Sequence, residues 1–154
     1  MTATPEGMTT IRGSAKLLLV TMVCLLLGAC ATSGPKFSEA RPAEAPPAAG
    51  DGRFYLYRTV LLGLAVQPDI RINGEVVGQA TPNGYFYVDR KPGTYEITTT
   101  TEVERKLSLT LDKDQTRYVR LSISIGFFVG HIYPELVDND VGLKDLQDCR
   151  YTGK

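Results

Sequence analysis

Cys30 is the residue with the clearest chemistry, because it ends the run Leu27-Gly28-Ala29-Cys30. An apolar stretch from Leu17 to Leu27 precedes it and follows a basic start. A basic start, an apolar stretch and small residues before the cleavage point are the features of a secretory signal peptide. A cysteine directly after the small residues completes the pattern of a bacterial lipobox, whose thiol takes a diacylglyceryl group. The sequence therefore predicts a signal peptide over residues 1–29 and lipidation of Cys30.

Other interpretations of this N-terminus fit its residues less specifically than a lipobox does. The apolar stretch is too short for a transmembrane helix, which needs about 20 apolar residues. Ala29-Cys30-Ala31 also fits an ordinary signal peptide cleaved after Ala31, and Met8 is an alternative start. The region is similar to outer-membrane lipoproteins of Gram-negative bacteria, and that resemblance implies outer-membrane sorting, because Ala31 stands where an aspartate favours retention in the inner membrane. We therefore expect a lipid-anchored domain that faces the periplasm.

The charge balance argues against one class of partner. The whole chain carries 17 basic and 17 acidic residues, and loss of Arg12, Lys16 and Glu6 with the signal peptide leaves a formal net charge of −1. Nucleic-acid binding requires a clustered basic surface, so no nucleic-acid partner is predicted. A polybasic membrane patch is equally unsupported.

The cysteines exclude an intramolecular disulfide in the mature chain. Cys24 leaves with the signal peptide and Cys30 takes the lipid, so Cys149 has no partner. A lone thiol in an oxidising compartment is either buried or bridges to another chain, and burial is the commoner state. With one free thiol and one histidine, His131, the sequence predicts no metal site.

Three segments follow from composition. After the signal peptide, residues 30–52 hold the lipidated cysteine and a linker rich in proline and alanine, and residues 53–154 form the folded domain. The linker has almost no large apolar residue to bury, so we expect it to be disordered, extended and solvated. The alternative is a strand or helix that docks on the domain.

From Arg53 onward apolar and polar residues alternate with a period of two, which indicates strands with one buried face. The first run extends this pattern toward Val60. Asn73-Gly74 fits a tight hairpin turn, because both residues tolerate positive φ, and Lys91-Pro92-Gly93 and residues 112–115 fit further turns. Six to eight short strands in about 100 residues predict a mostly β fold, a small antiparallel β-sandwich.

The end of the chain changes to a helical period. Asp138, Asn139 or Asp140 is suited to cap a short C-terminal helix. We expect this helix to cover an open sheet edge or barrel end. Its predicted buried stripe is Val141, Leu143, Leu146 and Cys149.

The run Gly126-Phe127-Phe128-Val129-Gly130 allows two interpretations. One is an exposed apolar loop that grips a partner or ligand, with glycines allowing close backbone approach. The other, which the pattern favours, is a core strand with glycines at a bulge. His131 has no serine or cysteine motif beside it, so no catalytic role is predicted. The candidate binding residues are Phe127, Phe128, His131 and Tyr133.

Other polar and aromatic residues are expected to be structural. No GxSxG, HExxH, CxxC, P-loop or Rossmann motif occurs, so the sequence predicts no catalytic residue and no cofactor. Glu135 lies in an apolar segment and is expected to pair with Arg120 or Arg58. Several tyrosines either pair across neighbouring strands, which is favoured, or form a stacking surface. They are Tyr55, Tyr57, Tyr85, Tyr87 and Tyr95.

Several motifs occur in a distinctive order. They are Arg71-Ile72-Asn73-Gly74-Glu75-Val76-Val77-Gly78, Tyr85-Phe86-Tyr87-Val88-Asp89, Lys91-Pro92-Gly93-Thr94-Tyr95, Tyr118-Val119-Arg120, Gly126-Phe127-Phe128-Val129-Gly130, Pro134-Glu135-Leu136-Val137 and Gly142-Leu143-Lys144. In this order they resemble the domain-of-unknown-function 2846 family of bacterial lipoproteins over roughly residues 53–149. The first half is also similar to PEGA-type surface β-sandwich domains. Neither resemblance implies an activity.

Two functions from different classes follow from these patterns. The preferred one is a non-enzymatic, outer-membrane-anchored lipoprotein whose periplasmic β-sandwich acts as an envelope interaction or structural module, with an envelope protein as its partner. The alternative is a domain that binds a small ligand, lipid or glycan in an apolar cavity near Phe127, Phe128 and Ile132. An enzyme would need a cleft that gathers His131, Glu135 and a serine, which the spacing does not predict.

Overall fold

The computed structural model describes residues 34–101, 103–124 and 130–153. Their elements, in chain order, are helix α1 (Phe37–Ala40), a 3-10 turn (Arg41–Ala43), β1 (Gly52–Arg58), β2 (Asp69–Ile72), β3 (Glu75–Gln79), β4 (Gly84–Arg90), β5 (Gly93–Thr100), β6 (Glu104–Leu111), β7 (Thr116–Ser124), β8 (His131–Val137), helix α2 (Asn139–Leu146) and β9 (Arg150–Tyr151). Among these residues no helix is long and apolar enough to cross a membrane.

The strands form two sheets whose inner faces share one core. One sheet has five strands in the order β8-β7-β1-β4-β9, and the other has four in the order β3-β2-β5-β6. The predicted mostly β sandwich is therefore confirmed. Two pairings differ from the predicted antiparallel pattern, because β1 is parallel to β7 and β4 is parallel to β9. Alternation within a strand identifies its buried face but carries no information about which strand lies beside it.

The predicted turns lie where strands meet. Asn73 and Gly74 have φ values of 49° and 84° and join β2 to β3, with Ile72 opposite Glu75. Positive φ at both central positions is what a tight hairpin of this type requires. Residues 112–115 link β6 to β7, with Asp114 also at positive φ.

The core between the sheets takes alternate residues from nearly every strand. In β1, Phe54 and Leu56 face the four-stranded sheet, whereas Tyr55 and Tyr57 face the other way. The Oγ1 of Thr99 in β5 donates a hydrogen bond of 2.6 Å to the carbonyl of Ile132 in β8, which links the two sheets. The buried members of this core are Phe54, Leu56, Ile70, Ile72, Ala80, Phe86, Ile97, Leu109, Leu111, Val119, Leu121 and Ile132.

A second core covers the outer face of the five-stranded sheet. Its members are Phe37, Tyr55, Tyr57, Tyr85, Tyr118, Leu146 and Cys149. Tyr55 lies directly opposite Tyr87, and Tyr57 opposite Tyr85, which confirms the predicted cross-strand pairing for these four tyrosines. Tyr95 instead lies opposite Leu109 in the other sheet and packs edge to face on Phe54. Burial of Cys149, 1% exposed, is likewise confirmed. Two layers of side chains therefore sandwich β1, β4 and β7.

The predicted disordered linker is wrong for the segment that begins at Gly34. Phe37 is fully buried, and its backbone N–H donates to the carbonyl of Cys149 at 2.9 Å. Lys36 forms an antiparallel bridge to Arg150, so this segment extends the sheet beside β9. Composition suggested solvation because the segment is poor in apolar residues, but one phenylalanine is enough to fill the gap between the tyrosines and α2.

The C-terminal helix also lies in a different place from the predicted one. It packs on the outer face of the five-stranded sheet against β7, not at a sheet edge. Gly142 meets the ring of Tyr118, and Leu146 is fully buried. Val141, predicted to be buried, is 37% exposed.

Candidate functional site

Three of the predicted site residues, Cys30, Phe127 and Phe128, lie outside the described residues. The other two, His131 and Tyr133, are alternate residues of β8 and therefore share one face of that strand. The Nδ1 of His131 is 3.2 Å from the Oγ1 of Thr101. The structure thus brings His131 and Tyr133 together at the edge strand of the five-stranded sheet.

Tyr133 borders an open cleft of about 400 Å³ between β6 and β8. The cleft is also lined by Arg105, Lys106, Ser124 and Pro134. Between His131 and Tyr133, Ile132 turns inward and is fully buried in the core between the sheets. Ile132 therefore serves packing, and the predicted apolar cavity beside the two phenylalanines stays a prediction.

Glu135 belongs to a polar cluster that joins β7, β8 and α2. Its Oε2 accepts from Nη2 of Arg120 at 3.1 Å and from the hydroxyl of Ser122 at 3.1 Å. The other side of Arg120 donates from Nη1 to Asp145 at 3.2 Å. The predicted pair of Glu135 with Arg120 is confirmed. Ser122 donates to a carboxylate here, so this arrangement holds α2 to the sheet.

The same cluster reaches the buried tyrosines. The hydroxyl of Tyr57 donates to Asp145 at 3.0 Å. Burial, together with this hydrogen bond to a carboxylate, raises the pKa of Tyr57 well above its ordinary value. Tyr57 therefore stays a neutral hydrogen-bond donor through the physiological range.

Glu44 anchors the N-terminal segment over the outer sheet face. Its carboxylate accepts from the hydroxyls of Tyr55 at 2.5 Å and Tyr85 at 3.1 Å. Nη1 of Arg53 lies 3.5 Å from the same carboxylate, and Arg53 also pairs with Asp89 at 2.7 Å. Burial and the nearby Glu44 raise the pKa of Tyr55 and of Tyr85. The residue types in the sequence did not reveal this network, because an acid in a proline-rich stretch gives no sign of a distant partner.

Arg58 ends β1 as a fully buried cation. Its guanidinium donates to the carbonyls of Val66 at 2.7 Å, Ala80 at 3.0 Å and Gly63 at 3.1 Å, and also to that of Leu62. Burial lowers the pKa of Arg58. Arg58 therefore binds backbone carbonyls rather than a carboxylate, and it is not the partner of Glu135.

The loop after β1, residues 59–68, displays apolar side chains to solvent. Leu61, Leu62 and Leu64 are 61%, 61% and 62% exposed. Val60, which the alternation predicted as a continuation of the first strand, is 40% exposed and lies beyond the end of β1 at Arg58. We call residues 59–68 the apolar loop. Sequence reasoning missed it because its leucines continue the apolar pattern of a strand.

Comparisons with known proteins match this fold to a described family. The family "Protein of unknown function (DUF2846)" matches residues 48–132, which is more than half of the chain and spans β1 to the start of β8. A protein of Haemophilus influenzae with the name "Uncharacterized protein" is 29% identical over 128 residues, covering 80% of this chain and 76% of that protein. The match agrees with the order of motifs in the sequence, and the chain belongs to the DUF2846 family of proteins of unknown function.

Proposed function

We propose that this chain is an outer-membrane lipoprotein, anchored by acyl groups on Cys30, whose β-sandwich faces the periplasm as a non-enzymatic interaction or structural module of the envelope. The observation that carries the proposal is the position of the docked N-terminal segment. Pairing with β9 involves Lys36, and Arg150 donates to the carbonyl of Gly34 at 3.0 Å. Gly34 follows Cys30 by four residues. The lipobox and the folded domain are therefore joined with almost no spacer.

The polar side chains of the described residues support a structural role. Glu135, Asp145 and Glu44 each accept hydrogen bonds from arginine or tyrosine side chains that hold one element to another. A catalytic constellation instead needs a nucleophile, a base and a group that orients the base, with room for a substrate among them. The hydrogen bonds of these carboxylates fasten α2 and the N-terminal segment to the sheet.

Replacement of Cys30 tests the anchor. In cells that express the full chain, we expect the wild-type protein in the outer-membrane fraction. Cys30→Ser has no thiol for the diacylglyceryl group, so the variant should lose that location and accumulate as uncleaved precursor. Cys149→Ser is the matched control, because its thiol is buried in the folded domain and its loss should leave fractionation unchanged. Wild-type protein recovered in the soluble periplasmic fraction would refute the anchor.

Crosslinking tests the interaction role. A membrane-permeable crosslinker applied to intact cells, followed by purification and mass spectrometry, should yield the same envelope protein joined to the domain in independent preparations. Cells that produce Cys30→Ser are the control, because a contact that depends on location should disappear with the anchor. Recovery of the domain without any reproducible crosslinked protein would contradict an interaction role.

A further inference from the structure

We infer that the apolar loop, residues 59–68, is a membrane contact that dips its leucines into the interface of the bilayer holding the lipid on Cys30. This inference rests on the proposed anchor and adds a second point of attachment. Leu61, Leu62 and Leu64 are each exposed by more than half, next to Val60. Exposed apolar side chains grouped on one loop of a soluble domain mark a contact with a partner or a membrane.

The loop carries no charge that would oppose insertion. From Thr59 to Gln67 the sequence is Thr-Val-Leu-Leu-Gly-Leu-Ala-Val-Gln, without a charged residue. The charged residues that flank the loop are Arg58, which is fully buried, and Asp69, which begins β2 and pairs with Arg71. Moving a charged side chain into hydrocarbon is costly, so a stretch of this composition suits an apolar surface better than a polar partner.

Several backbone carbonyls of the loop are hydrogen-bonded to protein side chains, as an environment without water requires. Arg58 donates to the carbonyls of Leu62, Gly63 and Val66, and the side-chain amide of Gln67 donates to the carbonyl of Leu64. Irregular backbone is tolerated at membrane depth only when its polar groups are satisfied by protein. The buried arginine therefore lets the leucines face outward while the carbonyls that carry them stay paired.

The inner side of the loop is fixed to the sandwich. Gly63, at φ 69°, lies so close to Ile123 that a Cβ at that position would be 2.8 Å from its Cδ1. Val66 packs against the core between the sheets. A loop held in this way presents its leucines as a formed surface and loses little conformational freedom on binding.

The short tether brings this surface to the bilayer. Lys36 pairs with Arg150, Arg150 with Gly84, and Gly84 with Arg58, so Lys36 and the start of the loop lie in one row across the sheet. Three strand spacings of about 4.8 Å place that row's ends roughly 14 Å apart. Gly34 lies four positions after Cys30, and this stretch of chain spans at most about 14 Å. A lipid on Cys30 thus holds the loop near the membrane, where its effective concentration is high.

A single tryptophan tests the contact, because the natural chain contains none. The acylated full-chain protein with Leu62→Trp would be reconstituted into vesicles of phosphatidylethanolamine and phosphatidylglycerol, with and without brominated acyl chains. At an insertion depth of about 5 to 10 Å we expect at least about a twofold loss of fluorescence with brominated lipid. Lys113→Trp is the control, because Lys113 is exposed in the turn between β6 and β7, beyond the opposite end of β1. Its fluorescence should change little.

The outcomes of this experiment distinguish failure of the lipid anchor from failure of the membrane contact. Absence of acyl groups on Cys30 in the same preparation would refute the proposed function. Acylated protein in which tryptophan at position 62 is quenched no more than at position 113 would refute the membrane contact alone. A blue-shifted spectrum at position 62 without quenching would also refute it and would indicate that the loop is buried against a second copy of this chain. Leu64→Trp repeats the measurement if the first variant does not fold.

Discussion

Cys149 is a buried thiol that the fold keeps protonated. Burial, and then the nearby Asp145 and Asp148, raise its pKa from 9.0 to about 12. Because only an accessible thiolate reacts, burial and the raised pKa both lower the reactivity of Cys149. At pH 8 we expect maleimide labelling of Cys149 in the native protein to be at least about tenfold slower than in the unfolded protein, measured at its peptide by mass spectrometry.

The raised pKa of Cys149 also makes the stability of the folded protein depend on pH. Above pH 9 the unfolded chain releases a proton that the folded protein still holds at Cys149, so the stability from this group is complete below pH 9 and is lost as the pH rises toward 12. The raised pKa values of Tyr55 and Tyr57 act in the same direction. In the maleimide experiment, rapid labelling of Cys149 at pH 8 without denaturant would show instead that the thiol is exposed and available to bridge chains.

Arg58 is the residue on which the apolar loop depends. Arg58→Met removes donors from four buried or half-buried carbonyls. Each orphaned polar group costs about 1 to 3 kcal/mol, so we expect the free energy of unfolding to fall by about 3 kcal/mol or more. Arg71→Met is the matched control, because Arg71 is half exposed and its pair with Asp69 is long at 3.7 Å. Urea unfolding of both variants measures the difference, and equal losses would contradict a structural role for Arg58.

At the scale of elements, α2 packs closely on Tyr118 of β7 because Gly142 has no side chain. Gly142 lies in the helix, where alanine would ordinarily be more stable by up to about 1 kcal/mol. A Cβ at this position, however, would be 2.3 Å from Cγ of Tyr118. We therefore expect Gly142→Ala to destabilise the protein by about 1 to 3 kcal/mol, against the helix propensity. Val141→Ala, at the exposed neighbour, should change stability by less than about 0.5 kcal/mol in the same thermal unfolding measurement. A stabilising Gly142→Ala would mean that the helix does not pack on Tyr118.

The docked N-terminal segment depends on one aromatic ring. Phe37 packs edge to face on Tyr55 and Tyr85, with ring centroids 5.5 and 5.3 Å apart. Truncation of a fully buried phenylalanine costs about 3 to 5 kcal/mol, so Phe37→Ala should lower the free energy of unfolding by about 3 kcal/mol. Ser38→Ala, at an exposed neighbour, should have an effect below about 0.5 kcal/mol. If Phe37→Ala unfolds at the same denaturant concentration as the wild type, the segment is solvated as its composition suggested.

Local sequence patterns predicted those features of the fold that depend on residues close together in the chain. Alternation identified the two faces of β1, and Asn73-Gly74 identified its hairpin, because both signals act within a few residues. Parallel pairing of β1 with β7 joins residues more than 60 positions apart, and no local pattern carries that information. Phe37 and Glu44 were missed for the same reason. Their partners, Cys149 for one and Tyr85 for the other, lie far along the chain.

For the whole molecule, the two ends of the chain close one face of the sandwich together. The segment from Gly34 lies beside β9, and α2 covers the tyrosines next to it. The family match ends at residue 132, so α2 and β9 lie beyond it, as does the docked segment before residue 48. A lipid on Cys30 would therefore hold the domain by a part of its own core, and orientation at the membrane would follow from the fold.

The mass of the N-terminal peptide of the mature protein, isolated from bacterial membranes, tests this central claim most directly. We expect the peptide to begin at Cys30 and to carry a diacylglyceryl group on the thiol with a further acyl chain on the amine, so that three residues lie between the lipidated cysteine and Gly34. A peptide that begins at Thr32 without lipid, as cleavage after Ala31 would give, would contradict the anchor and the membrane contact that rests on it.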